Sequence, residues 1–519
     1  MIGERNMAKG YARAVVYLLI LSSVMLAATG VVYGYSYWWD ELYSVAAAEL
    51  GVGPMFRFLV LPDVHPPLYQ LVLNLWIKVA GSGEQMVRAL SFLFAISALA
   101  AFWWWASKRL TPVAKYTLLV FFATCILFPY YAQEARSYAM MLLLSTLASL
   151  AYLERLAHSG RAGTRLGYYA LLGALSLTHY FGFIYAGVIL LFTLYENRGD
   201  ARRAIETVVV GLMCLIWPIL HVVYGGIGEK SGDNFWIESN GVQSTLFHFS
   251  DGMLPHLNYL ARLLSGTATE YVTAVLIVAL LSGAALLARR APEVREAGTG
   301  PGLWRRMIAL LTGFLVVIAL VDYHSPISTP RNFIVLLPVV SLLVGLTASG
   351  LKRAGVKHVV ALVALGGIAN LAVASLEVTR KIHPDQNHKA AVAFIEEQRD
   401  AGDPVYYLDR GGSMREVQHL VASFYFNEEV PLAPIAIGQV ATLAPPYYVL
   451  MQHHGHNLDR VLADIARRGI AVEAFVPQNN ESVAVVYVEG RDTHRPRHRA
   501  PMAAPAARML VRRSSAPGP

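Results

Sequence analysis

Between Ala14 and Trp39 the chain carries no charged residue, and uncharged apolar runs of this kind recur as far as about residue 380. About 20 consecutive apolar residues cross the hydrocarbon layer of a bilayer as a helix. The apolar residues come in such blocks rather than in the alternating pattern of half-buried strands. Composition agrees: 55% of the 519 residues are hydrophobic and only 15% charged, against about 25% charged in an ordinary soluble domain. The net charge of +8 would suit a nucleic-acid partner. The Lys and Arg residues, however, sit mostly in short gaps between apolar runs, where membrane orientation requires them, so nucleic acid is excluded. Cys125 and Cys214 lie inside apolar runs and suggest neither a disulfide framework nor a metal site. The chain reads as a polytopic α-helical membrane protein.

Eleven spans are expected, near 14–35, 89–107, 116–132, 138–153, 166–179, 182–195, 207–224, 271–288, 307–321, 332–350 and 359–377. Met1–Arg13 is a basic leader, and the small residues Ala27-Ala28-Thr29 raise the alternative of a cleaved signal peptide. The run after the leader exceeds a signal h-region, so a retained helix is favoured. Basic clusters occupy alternate gaps, among them Lys108-Arg109, Arg161 with Arg165, Arg202-Arg203 and Arg305-Arg306. The positive-inside rule places these in the cytoplasm. The intervening gaps face outward and are richer in acids, including Asp40, Glu41, Asp63, Glu134, Asp251 and Asp322. The uncharged stretch Leu166–Tyr195, interrupted only by His179, has basic ends and is read as a hairpin broken at Thr178-His179. Pro66–Ile77 is too short to cross and is read as a juxtamembrane or re-entrant helix. The N-terminus is then inside and the C-terminus outside, with the inner membrane of a bacterium as the expected location.

The expected organisation is a transmembrane module over residues 1–380, with a first outer loop at 36–88 and a large outer loop at 225–270. A small C-terminal α/β extramembrane domain follows over 381–490, and a Pro/Ala/Arg/Ser-rich, disordered tail over 491–519. Strands are expected at Val405–Leu408, Tyr447–Leu450 and Val483–Tyr487, and amphipathic helices at Asn387–Arg399 and Leu458–Arg468.

Ionisable groups near membrane depth are costly and usually functional, and the polar motifs all fall at the ends assigned to the outer side. Asp40-Glu41 ends the first span, and His65-Pro66-Pro67-Leu68-Tyr69 opens the short helix. Gln133–Tyr138 joins the third and fourth spans, His179-Tyr180 breaks the hairpin, and Pro330-Arg331-Asn332 opens the tenth span. A lipid-phosphate sugar donor needs cations with planar, forked donors, which Arg136 and Arg331 supply. An acceptor hydroxyl needs a carboxylate base, which Asp40 or Glu41 supplies. Trp38, Trp39, Tyr43, Tyr69, Tyr138 and Tyr180 offer surfaces for sugar or lipid.

In their order along residues 10–380 these motifs resemble GT-C glycosyltransferases, in particular the group of protein O-mannosyltransferases and the lipid A aminoarabinose transferase. The resemblance implies a polyprenyl-phosphate sugar donor and inversion at C1, with Asp40 as base and Glu41 in support. It implies no metal cofactor, although two carboxylates at Asp40/Glu41 also suit a hard divalent cation. It places the residue before Pro-Pro, Lys in the aminoarabinose transferase and His65 here, on the donor phosphate; Arg136, Arg331, Tyr69, Tyr138 and His179 are the further residues expected at the donor and its phosphate. The acceptor would be an envelope glycan, a glycolipid such as lipid A, or protein Ser/Thr, with membrane lipid as the surroundings.

Blander assignments stand beside these. Asp40-Glu41 also fits a solvated helix end, Arg136 an anchor for Glu134, Arg331 a helix cap and His179 a hydrogen-bonded lining residue. Trp103-Trp104-Trp105 is an interfacial aromatic belt. The 225–266 loop is either a lid or a plain connection, and His453-His454-Gly455-His456 is a turn rather than a metal tract. A lipid-linked glycan flippase or secondary transporter would place its acids near the midplane and usually show repeated halves, and neither is apparent. A non-catalytic envelope scaffold working through the outer domain is the remaining alternative.

Overall fold

The computed structural model describes residues 2–60, 65–224, 241–290, 302–351, 353–382, 386–400, 402–409, 414–427, 430–452, 455–468, 472–476, 483–488 and 508–512. They form two compact units. One comprises Met1–Val32, Asp63–Val72 and Arg88–Val378, and the other Tyr33–Pro62, Leu73–Val87 and Thr379–Pro519.

Seven helices among the described residues are long and apolar enough to cross a membrane: Arg13–Tyr33, Glu84–Arg109, Ala201–Val223, Thr269–Ala288, Leu303–His324, Pro330–Gly350 and Ala361–Ile382. Pro112–Thr124, Tyr138–Leu153 and Tyr180–Glu196 are shorter apolar helices, and Ala162–Ser176 is a helix of 15 residues. These eleven helices coincide with the eleven expected runs. The protein is an integral multi-pass membrane protein. Leu68–Ala80, another of the shorter apolar helices, has 13 residues, as Pro112–Thr124 does, a length of about 20 Å against the roughly 30 Å hydrocarbon layer.

Packing in the first unit depends on small residues, because lipid supplies little hydrophobic drive for helix association. A Cβ on Gly345 would lie 2.6 Å from Ala114 O, so its absence lets the tenth span press against Pro112–Thr124. The hairpin breaks where expected: His179 is the N-cap of Tyr180–Glu196, its Nδ1 accepting from Phe181 N at 3.1 Å. A Cβ on Gly182 would lie 2.6 Å from Leu175 O, so glycine is what lets the two half-helices meet this closely. Three ion pairs join gaps that the charge pattern assigns to one face. Arg109 forks onto Glu154 at 2.9 and 2.7 Å, Arg165 onto Glu206 at 3.0 and 3.3 Å, and Arg306 Nε meets Glu196 at 2.7 Å.

The stretch 225–270 contains two helices, Val242–Met253 and Pro255–Ser265; residues 225–240, including Trp236, lie outside the described residues, as do Asp63, His453 and His454.

The second unit is built on a six-stranded sheet. Its strands are β1 (Val405–Leu408), β2 (Leu432–Ile435), β3 (Tyr447–Gln452), β4 (Val472–Val476), β5 (Val483–Val488) and β6 (Arg508–Arg512), in the spatial order β2-β1-β3-β5-β4-β6. β1 is parallel to both β2 and β3, and the remaining pairs are antiparallel. Period-two alternation divides β1 to β5 between two apolar layers. Tyr447, Val449 and Met451 pack with Leu458, Val461 and Ile465 of the Gly455–Arg467 helix. Tyr448 and Leu450 pack with Ala391, Val392 and Ile395 of the His388–Gln398 helix. Each expected strand and helix of this domain is present. β2, β4 and the helix Met414–Ser423 are additions. β6 corrects the expectation of a disordered tail at 508–512, where Met509-Leu510-Val511 forms a strand paired with β4. The stretch 36–88 also contains two further helices, Trp39–Glu49 and Val52–Val60.

Candidate functional site

In the first unit, four segments far apart in sequence converge. Leu68 N donates to Leu177 O at 2.9 Å, tying the start of the short helix to the end of Ala162–Ser176 and its turn. This brings His65 beside His179, with ring centroids 5.5 Å apart. His65 Nε2 lies 3.2 Å from an Arg136 guanidinium nitrogen. A guanidinium only donates, so Nε2 is the acceptor and this geometry requires a neutral His65 protonated at Nδ1. Tyr138 stands 5.7 Å from His179 and 4.9 Å from Tyr131, centroid to centroid. The Arg331 guanidinium lies 5.7 Å over the Tyr138 ring, within cation–π range. His65, Arg136, Tyr138, His179 and Arg331 thus form one connected group, and Tyr69, the residue after Leu68, is buried.

Backbone anchors fix both arginines. Arg136 sits on the tight turn after Gln133, whose side chain donates to Pro129 O at 2.8 Å and accepts from Thr29 Oγ1 at 3.0 Å. Ser91 Oγ donates to Glu134 O at 2.5 Å. Arg331 follows a loop organised by Asp322, which is 2% exposed. That carboxylate accepts from Ile327 N at 2.8 Å, Ser328 N at 2.9 Å, Thr245 Oγ1 at 2.6 Å and the Ser328 hydroxyl. Sequence reasoning placed Asp322 among the outward acids without a role, since its partners are backbone groups and hydroxyls with no motif of their own.

Arg331 also lines a cavity of about 600 Å³ with Tyr130, Tyr131, His248, Asp251, Ser328 and Glu377, within the usual range for a small-molecule site. A Cβ on Gly252 would come 2.7 Å from Pro330 O, so glycine permits the Val242–Met253 helix to close this wall. Asp251 accepts from Asn258 Nδ2 at 3.3 Å. Burial raises its carboxyl above the usual range, opposed in part by that bond. Burial also lowers the His248 imidazole, against the pull of Asp322 and Asp251. His248 and Asp251 as cavity groups, and Glu377 from within the last span, carried no motif to mark them.

In the second unit, Asp40 and Glu41 occupy the first turn of Trp39–Glu49, where the exposed N–H groups and helix dipole favour negative charge. Glu41 is 1% exposed and its Oε2 accepts from Trp38 N at 3.4 Å. Trp38 cannot complete a reciprocal capping box, because indole N–H is only a donor. Asp40 is half-buried, and its backbone carbonyl accepts from Ser44 Oγ at 2.9 Å. Among the described residues no three His, Cys, Asp or Glu side chains converge as a metal site. Asp40 and Glu41 would offer a divalent ion two carboxylates from adjacent residues.

No protein-family model and no curated protein matches the sequence. Solved structures do. ArnT from Cupriavidus metallidurans bound to undecaprenyl phosphate superposes with a TM-score of 0.54 at 14% identity, covering 93% of this chain and 99% of that one. Its apo form gives 0.53 at 15% identity, covering 92% and 98%. Likeness over nearly the whole of both chains at so low an identity is likeness of fold, and the fold of this chain is that of the GT-C membrane glycosyltransferases.

Proposed function

We propose that the protein is a hexosyl- or pentosyltransferase that moves a sugar from a polyprenyl-phosphate donor to an acceptor hydroxyl, with inversion, on the outer face of a bacterial inner membrane. The acceptor is an envelope glycan, a glycolipid or a protein. The observation that carries this reading is the connected group of His65, Arg136, Tyr138, His179 and Arg331. Two guanidiniums at an aromatic-lined position suit a phosphate on an apolar chain. The undecaprenyl phosphate bound in the structurally similar ArnT accords with that ligand class.

In this reading Arg136 and Arg331 bind the donor phosphate, and neutral His65 orients Arg136 by accepting one of its N–H groups. Tyr138 and His179 complete the wall. Asp40 accepts the proton of the acceptor hydroxyl as its oxygen attacks C1. The C1–O bond to phosphate breaks, and the electron pair leaves with the lipid phosphate, whose negative charge the arginines stabilise. Glu41 supports the first turn that carries Asp40.

The test is incubation of purified protein with a panel of polyprenyl-phosphate sugars and envelope fractions, with products identified by mass spectrometry. A sugar-bearing acceptor and free polyprenyl phosphate are expected. Movement of the lipid across reconstituted vesicles without any product would replace this reading with a flippase.

A further inference from the structure

The segment immediately before Asp40 is held by side chains of the C-terminal α/β domain, all within the second unit. Trp39 N, the first N–H of the Trp39–Glu49 helix, donates to Gln386 Oε1 at 3.0 Å. Helices leave such first-turn N–H groups without an intrahelical acceptor, and here a residue from far along the chain supplies it. Tyr37 N donates to Tyr425 Oη at 2.8 Å. The same hydroxyl donates to Glu84 Oε1 at 3.2 Å, which also accepts from Lys389 Nζ at 3.1 Å. Lys389 N donates to Ser36 Oγ at 3.3 Å. The Tyr37 ring stacks on Tyr425 at 6.4 Å and 25° and meets Phe424 edge-on at 6.0 Å. Its hydroxyl donates to Ser82 O at 2.9 Å.

These contacts have a common target. Two of them end on backbone N–H groups, one and three residues before Asp40, and a third ends on Ser36. They therefore set where the chain enters the helix and the rotation at which it starts. At 3.6 residues per turn, a small rotation of the first residue swings the next side chain with it. Catalytic groups have to be held to within about 0.5 Å, and a misplacement of about 1 Å costs on the order of a hundredfold in rate. Packing alone would not need hydrogen bonds to consecutive parts of one backbone segment.

We infer that Gln386 and Tyr425 are positioning residues for Asp40, and that the C-terminal domain belongs to the catalytic apparatus as a clamp on the first outer loop. The inference rests on Asp40 being the base, as proposed above. Its measurable consequence is a split between rate and affinity. Tyr425→Phe, which removes one hydroxyl, and Gln386→Ala lower kcat by roughly tenfold to a hundredfold while donor KM stays within about twofold. Gln386→Glu keeps an acceptor at the same reach and restores the rate. Arg57→Ala, which breaks an exposed 3.2 Å ion pair with Glu416 in the same unit, leaves both constants unchanged.

The decisive experiment measures kcat and donor KM on the full-length protein for these variants and for Asp40→Asn. Amide hydrogen exchange at Tyr37 and Trp39 is measured on the same preparations. Faster exchange at these two amides in Tyr425→Phe and Gln386→Ala, with lowered kcat and unchanged KM, is the expected result. Wild-type kcat in both variants beside an inactive Asp40→Asn would overturn the clamp and leave the base assignment standing. A fully active Asp40→Asn would remove the base instead. Unchanged exchange at both amides would overturn the clamp by itself, including for a variant too inactive to assay.

Discussion

Arg136 and Arg331 are the guanidinium groups of the connected group, and His65 Nε2 stands 3.2 Å from a guanidinium nitrogen of Arg136. A hydrogen bond to a charged partner contributes about 1.5–3 kcal/mol. Arg136→Ala is therefore expected to weaken binding of a polyprenyl phosphate by roughly 10- to 100-fold, and binding of the dephosphorylated polyprenol much less. Equilibrium binding of the two lipids to the purified variant checks this. Asp322→Ala strands two backbone N–H groups and two hydroxyls, each costing about 1–3 kcal/mol when buried. A lowered Tm is expected, together with a raised donor KM as the Arg331 loop loosens. Asp251 gives a pH-dependent effect. Its folded-state carboxyl is raised by burial, so the folded protein holds the proton more tightly than the unfolded chain. Its contribution is fully present below the ordinary aspartate range and is lost as pH rises through the raised folded value. Asp251→Asn should accordingly raise Tm at neutral pH and leave it nearly unchanged in mild acid. At this scale the sequence exposes residues that belong to motifs, such as His65, Arg136 and Arg331. Asp322 and Asp251 act through partners distant in the chain, which one sequence does not identify.

Helices that cross a membrane were legible because bilayer thickness imposes a minimum apolar length and leaves charges to the gaps. Hence all eleven helices lie where uncharged runs predict them, and the hairpin at His179 follows from basic residues at both of its ends. The elements that escaped are short. Trp39–Glu49 mixes acids with alanines, β2 is the four residues Leu-Ala-Pro-Ile, and β6 hides three apolar residues in a tail of Pro, Ala and Arg. Contact between the helices is more specific than their existence. Gly345→Val would drive side-chain carbons into Ala114 O, 2.6 Å from the position of its Cβ. A loss of about 1–3 kcal/mol is expected, read as a lower Tm in detergent, whereas Gly283→Ala, with nothing within 4 Å, should be neutral.

Across the whole molecule, the candidate residues fall in both units. The first carries the arginines, the histidines and the cavity, and the second carries the Asp40–Glu41 turn together with the α/β domain. Chain order gives no sign that Tyr37 and Trp39, in the 36–88 stretch, bond to Tyr425 and Gln386. The claim on which the account turns is that Asp40 supplies the base for transfer from a polyprenyl-phosphate sugar. Single-turnover transfer from a radiolabelled donor, with donor binding measured on the same samples, compares wild type with Asp40→Asn. The account predicts product from the wild type, and from Asp40→Asn undiminished donor binding with transfer reduced by about a hundredfold or more. Transfer by Asp40→Asn at the wild-type rate would contradict it.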